Sequence, residues 1–184
     1  MRSGDLDIIF VAGLGGSEPE HWQRRWAAKL PNARFVEQAD WQKPDFAAWT
    51  GAIAAACALA RRPIVFAAHS LGVLAAIHAA AGVAAGRIKG AFLVAPPDDA
   101  ALAQIGCGDF ALAPAEALPF AARLVASRDD PYCRFARSQA LALELGASLI
   151  DAGAAGHLNV ASGHGPWPEG LMQFAGLLRS LDAG

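Results

Sequence analysis

The stretch Ala68-His69-Ser70-Leu71-Gly72 holds a serine among small residues, with an apolar run, Ile64-Val65-Phe66-Ala67, ahead of it and an alanine-rich run behind. It follows the pattern G-x-S-x-G with alanine in the first place. That pattern lifts a serine hydroxyl clear on a sharp turn between a strand and a helix. Small residues two before and two after the serine let neighbouring backbones approach closely. The turn also puts Ser70 at a helix N-terminus, where free amides favour developing negative charge. The plain alternative is a serine that only caps a helix, and the strand before it and apolar helix after it favour the nucleophile.

A nucleophilic serine needs amides to hold an oxyanion, a base, and an acid to orient that base. Ala12-Gly13-Leu14-Gly15-Gly16 closes the first apolar run and offers the backbone amide of Leu14. Leu71, the residue after the serine, offers the second. The same glycines invite a dinucleotide-loop reading, but the third glycine of G-x-G-x-x-G falls on Glu18, whose charge would repel a pyrophosphate. No Walker lysine follows either.

The acid and base are expected after the serine, in the order Ser, Asp, His. Ser127-Arg128-Asp129-Asp130-Pro131-Tyr132 follows the fifth apolar run and offers two aspartates. Asp130 is favoured, because Pro131 fixes the turn and Asp129 is then available to hold loop amides. The alternative is that both serve the turn alone. His157 lies in the small-residue loop Gly153-Ala154-Ala155-Gly156-His157-Leu158-Asn159 and is the expected base. His164 is its rival, but Pro166-Trp167-Pro168 just beyond reads as the start of the last helix. His69 should point away from its neighbour, while His21 and His78 fall inside expected helices as structural residues. The five histidines show no metal-ligand spacing.

These residues need a scaffold, and the chain alternates β-like runs with helical stretches. Strands are expected at 7–11, 33–37, 63–67, 90–94, 122–126 and 148–151, mostly as continuous apolar runs covered on both faces. Ser17-Glu18-Pro19-Glu20 reads as a capping box opening a helix over 17–30. A second helix is expected over 45–60, with Phe46, Trp49, Ile53 and Cys57 on one face. A third starts at Ser70, and others follow Pro97, Pro131 and Pro168. The pattern predicts an α/β three-layer sandwich: one six-stranded parallel sheet, order 2-1-3-4-5-6, with helices on both faces. The glycine loop and the serine turn would then meet between the first and third strands.

At 184 residues the chain reads as a single domain over 1–184. Hydrophobic residues are 54% and charged ones 17%, which argues against disorder. A formal charge of −2, with neither sign in blocks, argues against nucleic acid or an anionic membrane as partner. Cys57, Cys107 and Cys133 are too few and scattered for a disulfide framework and read as buried thiols in a reducing compartment. The N-terminus, with Asp5 and Asp7, does not read as a signal peptide. Residues 63–86 carry no charge, but the stretch splits into a β-like and an alanine-rich half rather than one membrane span. A cytoplasmic location is expected.

Together these residues resemble the small α/β-hydrolase-fold serine hydrolases that include retinoblastoma-binding protein 9 and its bacterial relatives. The likeness rests on 12–16 with Trp22, on His69-Ser70-Leu71-Gly72, on Asp129-Asp130-Pro131, on Gly156-His157, and on Gly165-Pro166-Trp167-Pro168-Glu169-Gly170. It implies a reduced α/β-hydrolase fold, without a cap domain or the first two strands of larger members. It also implies the triad Ser70, Asp130, His157. The chain departs at Ala12, where many such proteins carry a histidine, and at Ala68, the elbow's first glycine; neither change removes a catalytic group.

The expected reaction is hydrolysis of a small-molecule ester or related acyl compound through an acyl-enzyme, with no cofactor. The alternatives are thioester hydrolysis or acyl transfer by the same residues, and a non-catalytic protein-interaction module on the same fold. No protein partner is indicated. Trp22, Trp41, Tyr132 and Trp167 are candidates for a pocket wall, with the core as their more ordinary place.

Overall fold

Continuous apolar strands require cover on both faces, and the computed structural model, which describes residues 1–112 and 117–181, supplies it. Six strands, β1 (Asp7–Val11), β2 (Ala33–Phe35), β3 (Ile64–His69), β4 (Ile88–Val94), β5 (Ala121–Ala126) and β6 (Ser148–Asp151), form one sheet. Its order is β2-β1-β3-β4-β5-β6. Every neighbouring pair is parallel. Order and direction agree with the sequence-based expectation.

Side chains alternate across each strand and feed two cores. Ile9 and Val11 of β1 and Phe66 of β3 pack with α2 (Phe46–Ala58), α3 (Leu71–Ala80) and α5 (Phe135–Glu144) through Trp49, Leu74 and Leu141. On the other face Ile8 and Phe10 of β1 and Val65 of β3 pack with α1 (Trp22–Ala27) and α6 (Pro168–Ser180) through Trp26 and Phe174. The remaining helix, α4 (Asp99–Gln104), follows β4 and is capped by the Asp98 carboxylate on the Ala101 amide.

Helix α1 departs from expectation at its start. It begins at Trp22 and not after Ser17. The expected capping box does not form: the Ser17 hydroxyl donates to Gln23 Oε1 at 2.7 Å, and the Glu20 carboxylate pairs with Arg25. His21, expected inside the helix, is its N-cap and accepts the Gln23 amide. Strand β2 stops at Phe35, short of 37, as Glu37 turns to an ion pair with Arg24 at 2.9 Å. Strand β3 runs on to His69, in register with Val94.

The uncharged stretch 63–86 divides into β3 and α3, and among the described residues no helix is long and apolar enough to cross a membrane. Cys57, Cys107 and Cys133 are free and buried.

Candidate active site

Parallel strands with short C-terminal loops bring β1, β3, β5 and β6 to one edge of the sheet. There β3 turns sharply into α3, and Ser70 sits at the turn with φ 53° and ψ −131°. For a serine this is strained backbone. Its amide is held by the Val94 carbonyl at 2.9 Å, and its own carbonyl accepts the Val73 amide at 2.9 Å. Gly72 makes the turn possible, because a Cβ there would fall 2.6 Å from the Val11 carbonyl oxygen and closer still to that of Ala12. Gly13 does the same for the first loop, since its Cβ would lie 2.7 Å from Ser70 Cβ. The first elbow position tolerates alanine, and the Ala68 methyl is fully buried in the core.

His157 reaches the serine from the loop after β6. Its Nε2 lies 2.9 Å from Ser70 Oγ, and its Nδ1 lies 3.0 Å from each carboxylate oxygen of Asp130. With Nδ1–H donated to the carboxylate, Nε2 of the neutral ring accepts the serine proton. The Asp130 side chain is buried and also accepts the Tyr132 amide at 2.9 Å. Tyr132 packs edge-on against the His157 ring, centroids 4.6 Å apart.

Asp129 turns elsewhere. It accepts the Ser127 hydroxyl at 2.7 Å and the Gly156 amide at 2.7 Å, while Ser127 Oγ accepts the Ala155 amide at 2.9 Å. These bonds hold its carboxyl below the ordinary range. They also clamp the loop that carries His157. His164 is not at the serine; it contacts Ser162 Oγ at 3.1 Å and packs on Trp167. His78 lies on α3 against the Phe110 carbonyl at 3.2 Å.

The Leu14 and Leu71 residues border the same cleft as Ser70 and His157, with a volume of about 300 Å³. Neither amide donates a hydrogen bond within the described residues. Leu14, Ile105 and Tyr132 are exposed apolar side chains at its border. Trp22 and Trp167 belong to the buried core, and Trp41 packs on Trp49 and over Gly16, so of the four aromatic candidates Tyr132 lines the cleft. Among the described residues no three His, Cys, Asp or Glu side chains converge as metal ligands would.

Three contacts that support the site are not visible in the sequence. His69 Nε2 donates to the His157 carbonyl at 2.9 Å. The side-chain amide of buried Gln23 donates to the carbonyls of Val11 and Ala67, each at 2.9 Å, tying the ends of β1 and β3 together. Trp22 Nε1 donates to the Leu158 carbonyl at 3.1 Å. The local signal was limited to a tryptophan and a glutamine inside the helix expected over 17–30. Burial lowers the His21 pKa to about 4, with the charges of His157 and His164 adding to it. Burial likewise pushes His69 well below the ordinary histidine value.

Comparison with known proteins bears on the family and the fold. A family profile described as serine hydrolase matches residues 8–176. Among curated proteins no relative matches. A solved structure described as a YdeN-like hydrolase from Pectobacterium atrosepticum is 33% identical, covers 97% of this chain and 94% of its own, and superposes with a TM-score of 0.87. The ydeN gene product of B. subtilis is 18% identical over 96% of this chain and 98% of its own, TM-score 0.78. RedJ, a thioesterase from the prodiginine biosynthetic pathway of Streptomyces coelicolor, shares the fold at 14% identity, TM-score 0.65, over 94% of this chain and 89% of its own. With the profile running from β1 into α6, the chain belongs to the serine hydrolase family.

Proposed function

We propose that this hydrolase cleaves a small ester or related acyl compound, with Ser70 as nucleophile, His157 as base and acid, and Asp130 as the orienting anion. The observation that carries the reading is the unbroken hydrogen-bonded chain from Ser70 Oγ through His157 to the Asp130 carboxylate, at 2.9 and 3.0 Å. Ser70 Oγ attacks the acyl carbon as its proton passes to His157 Nε2. Asp130 stabilises the imidazolium, and the amides of Leu14 and Leu71 hold the oxyanion. The leaving oxygen takes the proton from Nε2. Water then attacks the acyl-enzyme, giving a proton to Nε2, and Ser70 Oγ takes that proton back as it leaves, releasing the acid and the free serine. No step calls for a cofactor. We read residues 1–184 as one domain working alone on a small substrate, with the apolar rim of Leu14, Ile105 and Tyr132 taking the acyl chain.

A fluorophosphonate tests the reading. It labels a serine only where a base activates the hydroxyl and an oxyanion site accepts the phosphorus. One adduct is expected, mapped to Ser70, absent in Ser70→Ala and strongly slowed in His157→Ala. Folded protein that takes no label overturns the hydrolase mechanism in favour of an interaction module. A screen of esters and thioesters of increasing acyl length then separates esterase from thioesterase chemistry.

A further inference from the structure

Two imidazoles beside Ser70 carry no proton in that reaction. His21 and His69 are 4% and 5% exposed. Their ring centroids are 4.9 Å apart, and both border the cleft that holds Ser70 and His157. Backbone groups fix the tautomer of each. The Gln23 amide donates to His21 Nδ1 at 3.2 Å. That nitrogen is therefore unprotonated, and the proton of the neutral ring is on Nε2. His69 is the reverse case: its Nε2 lies 2.9 Å from the His157 carbonyl, which can only accept. Its proton is on Nε2, and Nδ1 keeps a lone pair.

Burial favours the neutral form of both rings, since His21 is lowered to about 4 and His69 is lowered as well. The second nitrogen of each ring has no hydrogen-bond partner among the described residues, and neither nitrogen is sealed from solvent. It is the Ser70 cleft that both rings border. Buried polar atoms are normally satisfied, by protein, by water or by a ligand. His21 thus offers a donor and His69 an acceptor, side by side on the cleft wall.

We propose that His21 Nε2–H and His69 Nδ1 form a neutral donor–acceptor subsite that recognises an uncharged polar substituent, a hydroxyl or a primary amide, on the acyl compound. The proposal rests on the acyl-hydrolase reading and names its substrate class. A hydroxyl accepts from His21 and donates to His69. A carboxylate has no proton for Nδ1, and an ammonium has no lone pair for Nε2–H. An alkyl group leaves both nitrogens unpaired.

The test compares kcat/KM for p-nitrophenyl butanoate, its β-hydroxybutanoate counterpart and the p-nitrophenyl monoester of succinate, on the wild-type chain and on His21→Asn and His21→Phe. Asparagine keeps a capping oxygen for the Gln23 amide and removes the Nε2 donor. The wild-type chain should favour the hydroxylated ester over the plain one by about ten-fold, mostly through KM. It should disfavour the carboxylate. In both variants the hydroxyl-to-plain ratio should fall toward one, and His21→Asn should melt close to wild type. An unchanged ratio in folded His21→Asn overturns the subsite. If the wild-type chain turns over none of the esters, the hydrolase mechanism fails and amide binding judges the subsite separately. Ser70→Ala should bind β-hydroxybutanamide about ten-fold more tightly than butanamide, and adding His21→Asn should erase the difference. Equal binding in Ser70→Ala overturns the proposal.

Discussion

His69 Nε2 stands 2.9 Å from the carbonyl oxygen of His157, across 88 residues of chain. The residue before the serine therefore anchors the backbone of the residue whose ring bonds that serine. Two strands, β4 and β5, lie between β3 and β6, so the contact bridges half the sheet at its upper edge. With Asp129 clamping Gly156 on the other side, the His157 loop is held from both directions. The distance of 2.9 Å from Nε2 to Ser70 Oγ follows from this double restraint.

The two aspartates should separate cleanly by substitution. Asp130→Asn removes the anion facing His157 Nδ1, and turnover should drop by about four orders of magnitude with the fold intact. Asp129→Asn keeps an oxygen for the Ser127 hydroxyl and Gly156 amide, so its loss should stay within about ten-fold. Steady-state kinetics beside circular dichroism decide it. A larger loss in the second variant would reverse the assignment.

Gly72→Ala should damage stability as well as turnover. The added methyl meets the carbonyl oxygens of Val11 and Ala12, and neither backbone can retreat without moving β1. A loss of about 1–3 kcal/mol is expected from such overpacking. Ala68→Gly, by contrast, should fold and label normally. Urea unfolding of both variants checks the contrast, and a fully stable Gly72→Ala would rule out the close approach.

Gln23→Leu keeps much of the side-chain volume and removes both donors. The carbonyls of Val11 and Ala67 then lose a shared partner inside the core. A cost of about 2–5 kcal/mol follows for two buried acceptors left short. Fluorophosphonate labelling should slow too, because the ends of β1 and β3 carry the two loops that meet at Ser70. Unchanged stability and labelling would show that Gln23 ties nothing together.

Acid should weaken the fold before the carboxylates titrate. His21 ionises at about 4 in the folded chain, against an ordinary 6.5. Below about pH 6.5 the unfolded chain binds protons that the folded chain refuses, so stability is full above that value and falls as pH drops toward about 4. The loss from His21 reaches about 3 kcal/mol, and buried His69 acts in the same direction. Asp129, whose carboxyl is depressed, adds a further loss at lower pH as it is protonated. Urea midpoints between about pH 7 and about pH 5 should decline in the wild-type chain and less steeply in His21→Asn. Parallel slopes would contradict the buried, neutral imidazole.

The strand order was legible because strands covered on both faces read as continuous apolar runs, as in Ile64-Val65-Phe66-Ala67. The convergence of Ser70, Asp130 and His157 was legible from chain order and from the ends of the runs they follow. The start of α1 was not. A serine three residues before a glutamate is a local signal, and it lost to distant partners: Gln23 took the Ser17 hydroxyl, and Arg25 took Glu20. His21 looked like a helix-interior residue because its neighbour in space, His69, arrives from β3. Gln23 carries no signal of its own in the sequence, since the carbonyls it bonds belong to two strands.

The two outer strands also determine how this sheet treats other copies of itself. β2 has three residues with exposed Arg34 at its centre, and β6 has four, ending in Asp151, which pairs with Arg128 at 2.6 Å. A long apolar margin would present a row of open amides and carbonyls to any passing strand. These margins offer three or four rungs at most, and docking on β2 would bring a second chain against a guanidinium. Short margins that carry charge in this way disfavour side-by-side extension of the sheet into fibrils.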